Sequence, residues 1–302
     1  MRGPAWFLGI TFGVAWTWWE IVIRSGVSVL SWQFQLYVLP GAFAPAVAAL
    51  IVRKWITREG FADAGLRLQG RQWRYYLLAW LMPLGIVAAI VAQAVLLGIA
   101  EPDFTLARAS ASGLAGRTTD GLPVLGWLIV AQVMIMAVLT TPLLWGEEFG
   151  WRGYLQPRLF AGRPVPAAVA TGFIWAAWHY PVTLRGYNYP DQPVLGSLLF
   201  VAIAVTTSYM FGWFKEKTGS IWAASLAHAA TNSIGGLATL WFAGAAGPLV
   251  ASYAGLLAVP PLLLSCFCIY WFGYRGKARG ASGITTAPDD DHSVAIDGSR
   301  LS

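Results

Sequence analysis

The chain has 302 residues, of which 57% are hydrophobic and only 11% are charged. Because a soluble domain of average composition has about a quarter of its residues charged, this composition argues against an ordinary globular protein in water. It also differs from disordered, collagen-like and coiled-coil sequences. The formal net charge is +6. In so apolar a chain we assign this charge to basic loops on one side of a membrane, and we expect no nucleic-acid partner.

Eight apolar segments follow one another along the chain, and most of them reach the ~18–20 residues that a membrane-spanning helix needs. They run roughly over Trp6–Ile23, Trp32–Val52, Tyr75–Ile99, Leu122–Trp145, Val165–Tyr180, Val194–Phe214, Ile221–Phe242 and Leu249–Phe272. The fold class that they predict is all-α, a polytopic transmembrane helix bundle of about eight spans. We assign residues 1–280 to this bundle and residues 281–302 to a disordered cytoplasmic tail.

The distribution of Lys and Arg between the loops predicts how the bundle is oriented. Cytoplasmic loops of membrane proteins carry an excess of these residues. If the N-terminus lies in the cytoplasm, only four of the 20 basic residues lie outside, namely Arg24, Arg108, Arg117 and Arg185. We therefore predict a multi-pass protein of the cell membrane with both termini in the cytoplasm. The dense Ala, Gly and Trp content and the short loops favour a bacterial source.

A pair of carboxylates lies at the end of the fourth apolar segment. A charged side chain at membrane depth costs about 2.5–3.5 kcal/mol on insertion scales, so each one needs an explanation. Glu148 and Arg152 are four residues apart and can pair on one helix face, whereas Glu147 is turned away by about 100° and stays free. Such a carboxylate can serve as a general base. A salt-bridge cluster that caps a helix is the alternative.

Two histidines lie at or near the ends of other apolar segments. His179 stands one helical turn after Trp175 on the same face, where it is either a site residue or an ordinary interfacial histidine. His228 and Asn232 are four residues apart, and in lipid this pair must face the bundle interior. Their N–H groups can form an oxyanion hole, or they can hold two helices together.

These side chains come from three different segments, and sites in helical bundles are built from side chains on facing helices. A carboxylate and a histidine can hold and deprotonate a water molecule, while a second histidine and an asparagine stabilise the oxyanion of a tetrahedral intermediate. These are the components needed to hydrolyse an acyl bond with activated water. A zinc site made of Glu147, His179 and His228, with one open position, is also compatible with the same residues.

At these positions the chain resembles the CAAX-prenyl-protease and bacteriocin-processing (CPBP) family of intramembrane endopeptidases, which includes the type II CAAX proteases. The family pattern is E-E-x-x-x-R, then F-x-x-x-H, then H-x-x-x-N. The residues that match it are Glu147, Glu148, Arg152, His179, His228 and Asn232. Trp175 stands where the family has Phe. The match covers roughly residues 143–233, within a CPBP-like core of about 122–242.

The resemblance implies a protease that cleaves membrane-anchored proteins or peptides within the lipid bilayer. The roles that it implies are activation of water for Glu147 and His179, an oxyanion hole for His228 and Asn232, and support of the site for Glu148, Arg152 and Trp175. A divalent metal such as zinc and a metal-free, glutamate-activated water are equally compatible with these residues. Because the two carboxylates lie near the basic side, we expect the site to open toward the cytoplasm.

Two other functions fit the same polar residues. A proton-coupled membrane transporter could use Glu147, His179 and His228 as a proton relay. An inactive membrane scaffold of the same fold would use the cluster only for structure. The endopeptidase is our prediction because the order and spacing of all three motifs match that family.

Overall fold

The long elements of this computed structural model are helices that run from one end of a bundle to the other. The structure describes residues 2–111 and 123–274, and these contain no β-strand. The predicted all-α, polytopic helix bundle is confirmed. The predicted tail, residues 281–302, lies outside the described residues.

The described residues form fifteen α-helices, three π-helical turns and three 3₁₀ turns. The α-helices are α1 (Arg2–Arg24), α2 (Trp32–Tyr37), α3 (Leu39–Ala42), α4 (Ala44–Ile51), α5 (Trp73–Leu96), α6 (Ala107–Ala111), α7 (Pro123–Gly150), α8 (Gln156–Arg158), α9 (Pro164–Trp178), α10 (Tyr180–Thr183), α11 (Pro193–Thr218), α12 (Ile221–Ile234), α13 (Gly236–Trp241), α14 (Pro248–Ala251) and α15 (Val259–Cys268). The π-helical turns are Val52–Ile56, Trp151–Leu155 and Ile269–Tyr274, and the 3₁₀ turns are Ala62–Ala64, Gly70–Gln72 and Leu256–Ala258. The described residues up to Cys266 form one compact unit, whereas those from Phe267 belong to a second unit.

Six of the eight predicted segments correspond to helical runs that are long and apolar enough to cross a membrane. These runs are Arg2–Arg24, Trp32–Ile56, Gly70–Leu96, Gly126–Arg158, Pro193–Thr218 and Pro248–Gly273. The other two segments are shorter helices: α9 has 15 residues, and α12 has 14 residues before Gly235 separates it from α13. The candidate histidines belong to these two shorter segments.

The two shorter helices pack against protein over much of their surface. Most residues of α12 are buried, many of them Ala, and this helix packs mainly on α7, α5 and α11. In α9, a Cβ added at Gly172 would lie 2.6 Å from the Cα of Val205 in α11. Small residues allow helices in a membrane to approach this closely. Because neighbouring helices cover them, α9 and α12 need not match the full thickness of the lipid.

One end of the bundle, here called the basic end, is formed by the start of α1 and the segments 57–72, 159–163 and 219–220. Hydrogen bonds connect these segments: the Ile221 N–H donates to the Gly65 carbonyl (2.9 Å), and Arg158 donates to Glu59 (2.7 Å). Most of the described Lys and Arg residues lie at this end, namely Arg2, Arg53, Lys54, Arg58, Arg67, Arg71, Arg74, Arg158, Arg163, Lys215 and Lys217.

The opposite end of the bundle is formed by the segments 25–31, 97–106, 184–192 and 242–258. Arg185 pairs with Glu20 there (2.8 Å), and the Tyr189 hydroxyl donates to the Ala254 carbonyl (2.7 Å). Among the described basic residues, this end holds Arg24, Arg108 and Arg185. The charge asymmetry found in the sequence is therefore a property of the two ends of the folded bundle.

A buried arginine ties the basic end together. Arg53 is fully buried and donates to both carboxylate oxygens of Asp63 (2.8 and 2.9 Å), to the Gly153 carbonyl (2.9 Å) and to the Gly60 carbonyl. This hydrogen bonding holds the pKa of the Asp63 carboxyl below its usual value, although partial burial opposes the effect. The bond to Gly153 links the extension of α4 to the turn that follows α7, and it thereby helps to position the carboxylates of α7.

We expect Arg53→Met to lower the free energy of unfolding by about 2–3 kcal/mol, because a hydrogen bond to a charged group contributes about 1.5–3 kcal/mol. The thermal unfolding midpoint of the purified protein in detergent measures this loss. Arg71→Met is the matched control: Arg71 is exposed at the same end, where such substitutions change stability by about 0.5 kcal/mol or less. Equal midpoints for the two variants would contradict the role of Arg53.

Candidate active site

The most deeply buried polar contact of the candidate site is centred on Glu148. Its Oε1 accepts hydrogen bonds from Nη1 of Arg152 (2.8 Å) and from Nδ1 of His228 (2.9 Å). The exposed fractions of these three residues are 0%, 1% and 3%. The spacing of four residues predicted the pairing with Arg152. The contact with His228 joins α7 to α12 across 80 residues of sequence, and nothing in the motif spacing indicated it.

The guanidinium of Arg152 lies against two aromatic rings. Its Cζ is 5.1 Å from the ring centroid of Trp175 and 5.2 Å from that of Phe211. At these distances the ring faces attract a cation, and they supplement the ion pair with Glu148. Arg152 belongs to the π-helical turn Trp151–Leu155, a feature that is frequent at functional sites.

Glu147 has a different partner from that of its neighbour. Its Oε2 accepts a hydrogen bond from the indole Nε1–H of Trp175 (3.0 Å), and only 7% of the residue is exposed. A phenylalanine at position 175 could not make this bond, because Phe has no N–H. The Trp that departs from the family pattern therefore fixes the orientation of the free carboxylate.

Trp175 also orients His179, through its backbone. The Trp175 carbonyl oxygen lies 2.8 Å from Nδ1 of His179. A carbonyl can only accept, so Nδ1 carries the proton and Nε2 of the neutral ring is left as an acceptor. His179 is the residue directly after α9, as predicted, and its ring packs at 4.8 Å on that of Trp178 and at 5.1 Å on that of Phe200.

The candidate residues converge on one cavity of about 650 Å³. Those that line it are Glu147, Trp175, His179, His228 and Asn232. Glu148 and Arg152 lie behind this surface. Asn232 follows His228 by one helical turn and is exposed rather than buried, so both members of the H-x-x-x-N motif face the cavity side of α12.

The cavity reaches the surface at the opposite end of the bundle. Its exposed lining residues include Leu30, Gln35 and Pro190, which lie in the chain between α1 and α3 and after α10. The expectation that the site opens toward the basic side is therefore wrong. Glu147 is not at a helix end: the helical run of α7 continues to Arg158, and this places the carboxylate inside the bundle rather than at a basic loop.

A hydrogen bond crosses the mouth of the cavity. The hydroxyl of Tyr187 donates to Oε1 of Gln35 (2.7 Å), and it joins the segment before α11 to helix α2. Burial raises the pKa of the Tyr187 phenol, so the group stays protonated and can donate. Both residues line the cavity, and no sequence motif singled out either of them.

The zinc set considered from sequence does not fit the arrangement. Within residues 2–111 and 123–274, no three His, Cys, Asp or Glu side chains are grouped so that they could hold a metal ion.

Comparison with known proteins agrees with the motifs. Residues 124–234 match the family model described as "Type II CAAX prenyl endopeptidase Rce1-like". The match runs from α7 to α12 and includes all the motif residues, so the predicted resemblance to the type II CAAX proteases is confirmed. A comparison with curated proteins finds no significant match.

The match to this family over residues 124–234 and the six helical runs that are long and apolar enough to cross a membrane point to a multi-pass membrane protein. Phe211 and Phe200, which contact Arg152 and His179, belong to α11 within the matched region. They could not be recognised from the sequence because a Phe in a long apolar helix carries no signal of its own.

We expect Trp175→Phe to lower kcat for peptide cleavage about tenfold or more, because it removes the N–H that orients the Glu147 carboxylate while it keeps an aromatic ring. A hydrogen bond to a charged group contributes about 1.5–3 kcal/mol, which corresponds to about tenfold to 100-fold in rate. Steady-state kinetics with a quenched fluorescent peptide measures kcat and KM separately, and we expect KM to change little.

The matched control for this substitution is Trp213→Phe. Trp213 is also a buried tryptophan, it lies outside the cavity lining, and its Nε1 has no hydrogen-bond partner among the described residues. We expect its kcat to stay within about threefold of that of the wild type. Equal kcat values for the two variants would show that the Trp175 N–H has no part in the reaction.

Proposed function

We propose that the protein is an intramembrane endopeptidase that hydrolyses peptide bonds of membrane-tethered proteins or peptides. The observation that carries this proposal is that Glu147, His179, His228 and Asn232 line a single cavity. They come from three separate elements, namely α7, the end of α9 and α12. The match to a family of CAAX prenyl endopeptidases supports the same reaction.

Glu147 and His179 are suited to activate a water molecule. Trp175 occupies Oε2 of Glu147, which leaves Oε1 to accept a proton from water. His179 presents an unprotonated Nε2, because its Nδ1–H is donated to the Trp175 carbonyl. The water oxygen attacks the peptide carbonyl carbon as its proton passes to Glu147. The same proton then goes to the amine nitrogen as the C–N bond breaks, so Glu147 acts first as base and then as acid.

His228 and Asn232 are suited to stabilise the negative oxygen of the tetrahedral intermediate. The Asn232 amide can donate directly. Nδ1 of His228 donates to Glu148, whose Oε1 also receives the N–H of Arg152, so Nε2 carries a second proton only when the ring is positively charged. In this role His228 acts as an imidazolium, and the Glu148 carboxylate is the anion that stabilises it. Glu148 is therefore a positioning residue rather than one that contacts the substrate.

The walls of the cavity favour an apolar substrate segment. Much of the lining beside the polar groups is aromatic or aliphatic, with Trp19, Phe34, Val38, Val182 and Ile203 among the residues that contribute. Among residues 2–111 and 123–274, no Lys or Arg side chain lines the cavity. A peptide held near the membrane by an anchor could place an apolar stretch in this space, which agrees with a membrane-tethered protein as substrate.

Substitution of the proposed catalytic groups tests the proposal. We expect Glu147→Gln and Asn232→Ala each to lower kcat by 10²-fold or more, because loss of a general base or of one oxyanion donor has effects of this size. Cleavage of quenched fluorescent peptides by the purified full-length protein in detergent measures the rates. Wild-type rates in both variants would contradict the proposal.

Glu20→Gln is the matched control for these variants. Glu20 is likewise a carboxylate in an apolar helix, but it pairs with Arg24 and Arg185 and does not line the cavity. We expect its kcat to stay within about twofold of the wild-type value. Uptake driven by a pH gradient in vesicles, without any peptide cleavage, would instead support a transporter.

We further propose that the activated water needs no metal ion. We therefore expect that treatment with a strong chelator, followed by removal of the chelator, leaves kcat within about twofold of its starting value. Metal analysis of the active protein provides the second measurement, and we expect less than one equivalent of zinc. A chelated protein that loses its activity and regains it on addition of zinc would contradict this expectation.

A further inference from the structure

The path by which a substrate reaches the site follows from where the cavity ends. The buried Glu147 and His228 line the cavity, and the lining continues along α12 to Gly235 and Gly236 and then to Thr239 in α13. From there it includes Pro248 and the residues 252–254 in the segment at the opposite end. The segments 57–72, 159–163 and 219–220 at the basic end are described throughout, and they contribute no lining residue.

The residues around the mouth confirm this direction. Leu30, with 61% of its surface exposed, lies between α1 and α2, and Tyr187 and Asn188 lie between α10 and α11. The bond between Tyr187 and Gln35 spans this mouth. A peptide that enters must therefore pass the segments 25–38 and 184–192.

The two ends of the bundle differ strongly in charge. Positively charged loops stay in the cytoplasm during membrane insertion. Eleven described Lys and Arg residues lie at the basic end, against three at the end that carries the mouth. This difference assigns the basic end to the cytoplasm and the mouth to the other face of the membrane.

We propose that the substrate enters the site from the non-cytoplasmic face of the membrane, through the mouth formed by the segments 25–38 and 184–192. This inference rests on the proposed proteolytic function. It narrows the substrate to proteins or peptides that expose the cleaved segment on that face. A prenylated tail on the cytoplasmic face would have no access to the mouth.

Labelling of single cysteines tests the orientation without any need for proteolysis. Cys266 and Cys268, the two native cysteines, are first replaced by Ala in the full-length chain. Leu30→Cys then places one thiol at the mouth, and Leu68→Cys places one at the basic end. Both are exposed leucines in loops, with 61% and 68% of their surface accessible, so they form a matched pair.

Intact bacterial cells that express each variant are treated with a membrane-impermeant maleimide. We expect Leu30→Cys to be labelled in intact cells and Leu68→Cys to be labelled only after the membrane is permeabilised. Labelling of Leu68→Cys in intact cells, with Leu30→Cys protected until permeabilisation, overturns the proposal.

A second measurement tests whether the mouth is the route of the substrate. The thiol of each purified variant is coupled to a maleimide that carries a bulky polyethylene glycol chain, and cleavage of a quenched peptide is then followed. We expect the modification at position 30 to lower the cleavage rate tenfold or more, and the modification at position 68 to change it less than twofold. An unchanged rate after complete modification at position 30 contradicts entry through this mouth.

The two arms separate this inference from the function on which it rests. If the unmodified protein cleaves no peptide, the proposed function fails, while the labelling pattern still decides which face the mouth occupies. If the protein cleaves peptides but the mouth is labelled only from the cytoplasm, the function stands and the inference fails.

Discussion

A single carboxylate oxygen, Oε1 of Glu148, accepts hydrogen bonds from Arg152 and His228, which belong to two helical segments inside the bundle. An ionised carboxylate away from water is costly unless it is paired and hydrogen-bonded. The Arg152 and His228 donors meet this requirement only if α7 and α12 lie face to face at this level. The alanines around His228 have small side chains, which allow α12 to approach α7 closely. The packing of α7 against α12 and the hydrogen bonding of Glu148 therefore depend on each other.

The same contact determines what the neighbouring carboxylate can do. Glu148 accepts from both Arg152 and His228, whereas Glu147 accepts from Trp175 at the cavity wall. The Arg152 guanidinium pairs with the Glu148 carboxylate, and the N–H groups of His228 and Trp175 donate to the two carboxylates. Pairing of this kind lowers the cost of placing ionisable groups within a membrane. Loss of Arg152 would leave the Glu148 carboxylate buried without its cationic partner.

Trp175 contacts Glu147, His179, Arg152 and His228, and it also shows how much of the site could be predicted from the sequence. The motifs identified the carboxylates, the histidines and Asn232, and the pairing of Glu148 with Arg152 followed from helix periodicity alone. The hydrogen bond from the Trp175 indole to Glu147 depends on how α9 lies against α7. The hydrogen bond from His228 to Glu148 depends on how α12 lies against α7. Residue spacing within a motif therefore could not predict either bond. The substitution of Trp for the family's Phe was visible in the sequence, whereas its consequence became visible only in the fold.

The error about where the site opens has a related cause. Hydropathy located the end of the fourth apolar segment near Trp145 because the carboxylates, Gly150 and Arg152 are not apolar, and a segment end was taken as the membrane surface. The helical run in fact extends to Arg158, because partners inside the protein compensate these polar groups. Likewise, α9 and α12 pack against neighbouring helices over much of their surface, so they can be shorter than a helix that crosses the lipid alone. In a bundle of this kind, a polar residue at the end of an apolar segment indicates contact with another helix as readily as it indicates contact with water. The depth of a site in the membrane must therefore be judged from the full length of the helix that carries it.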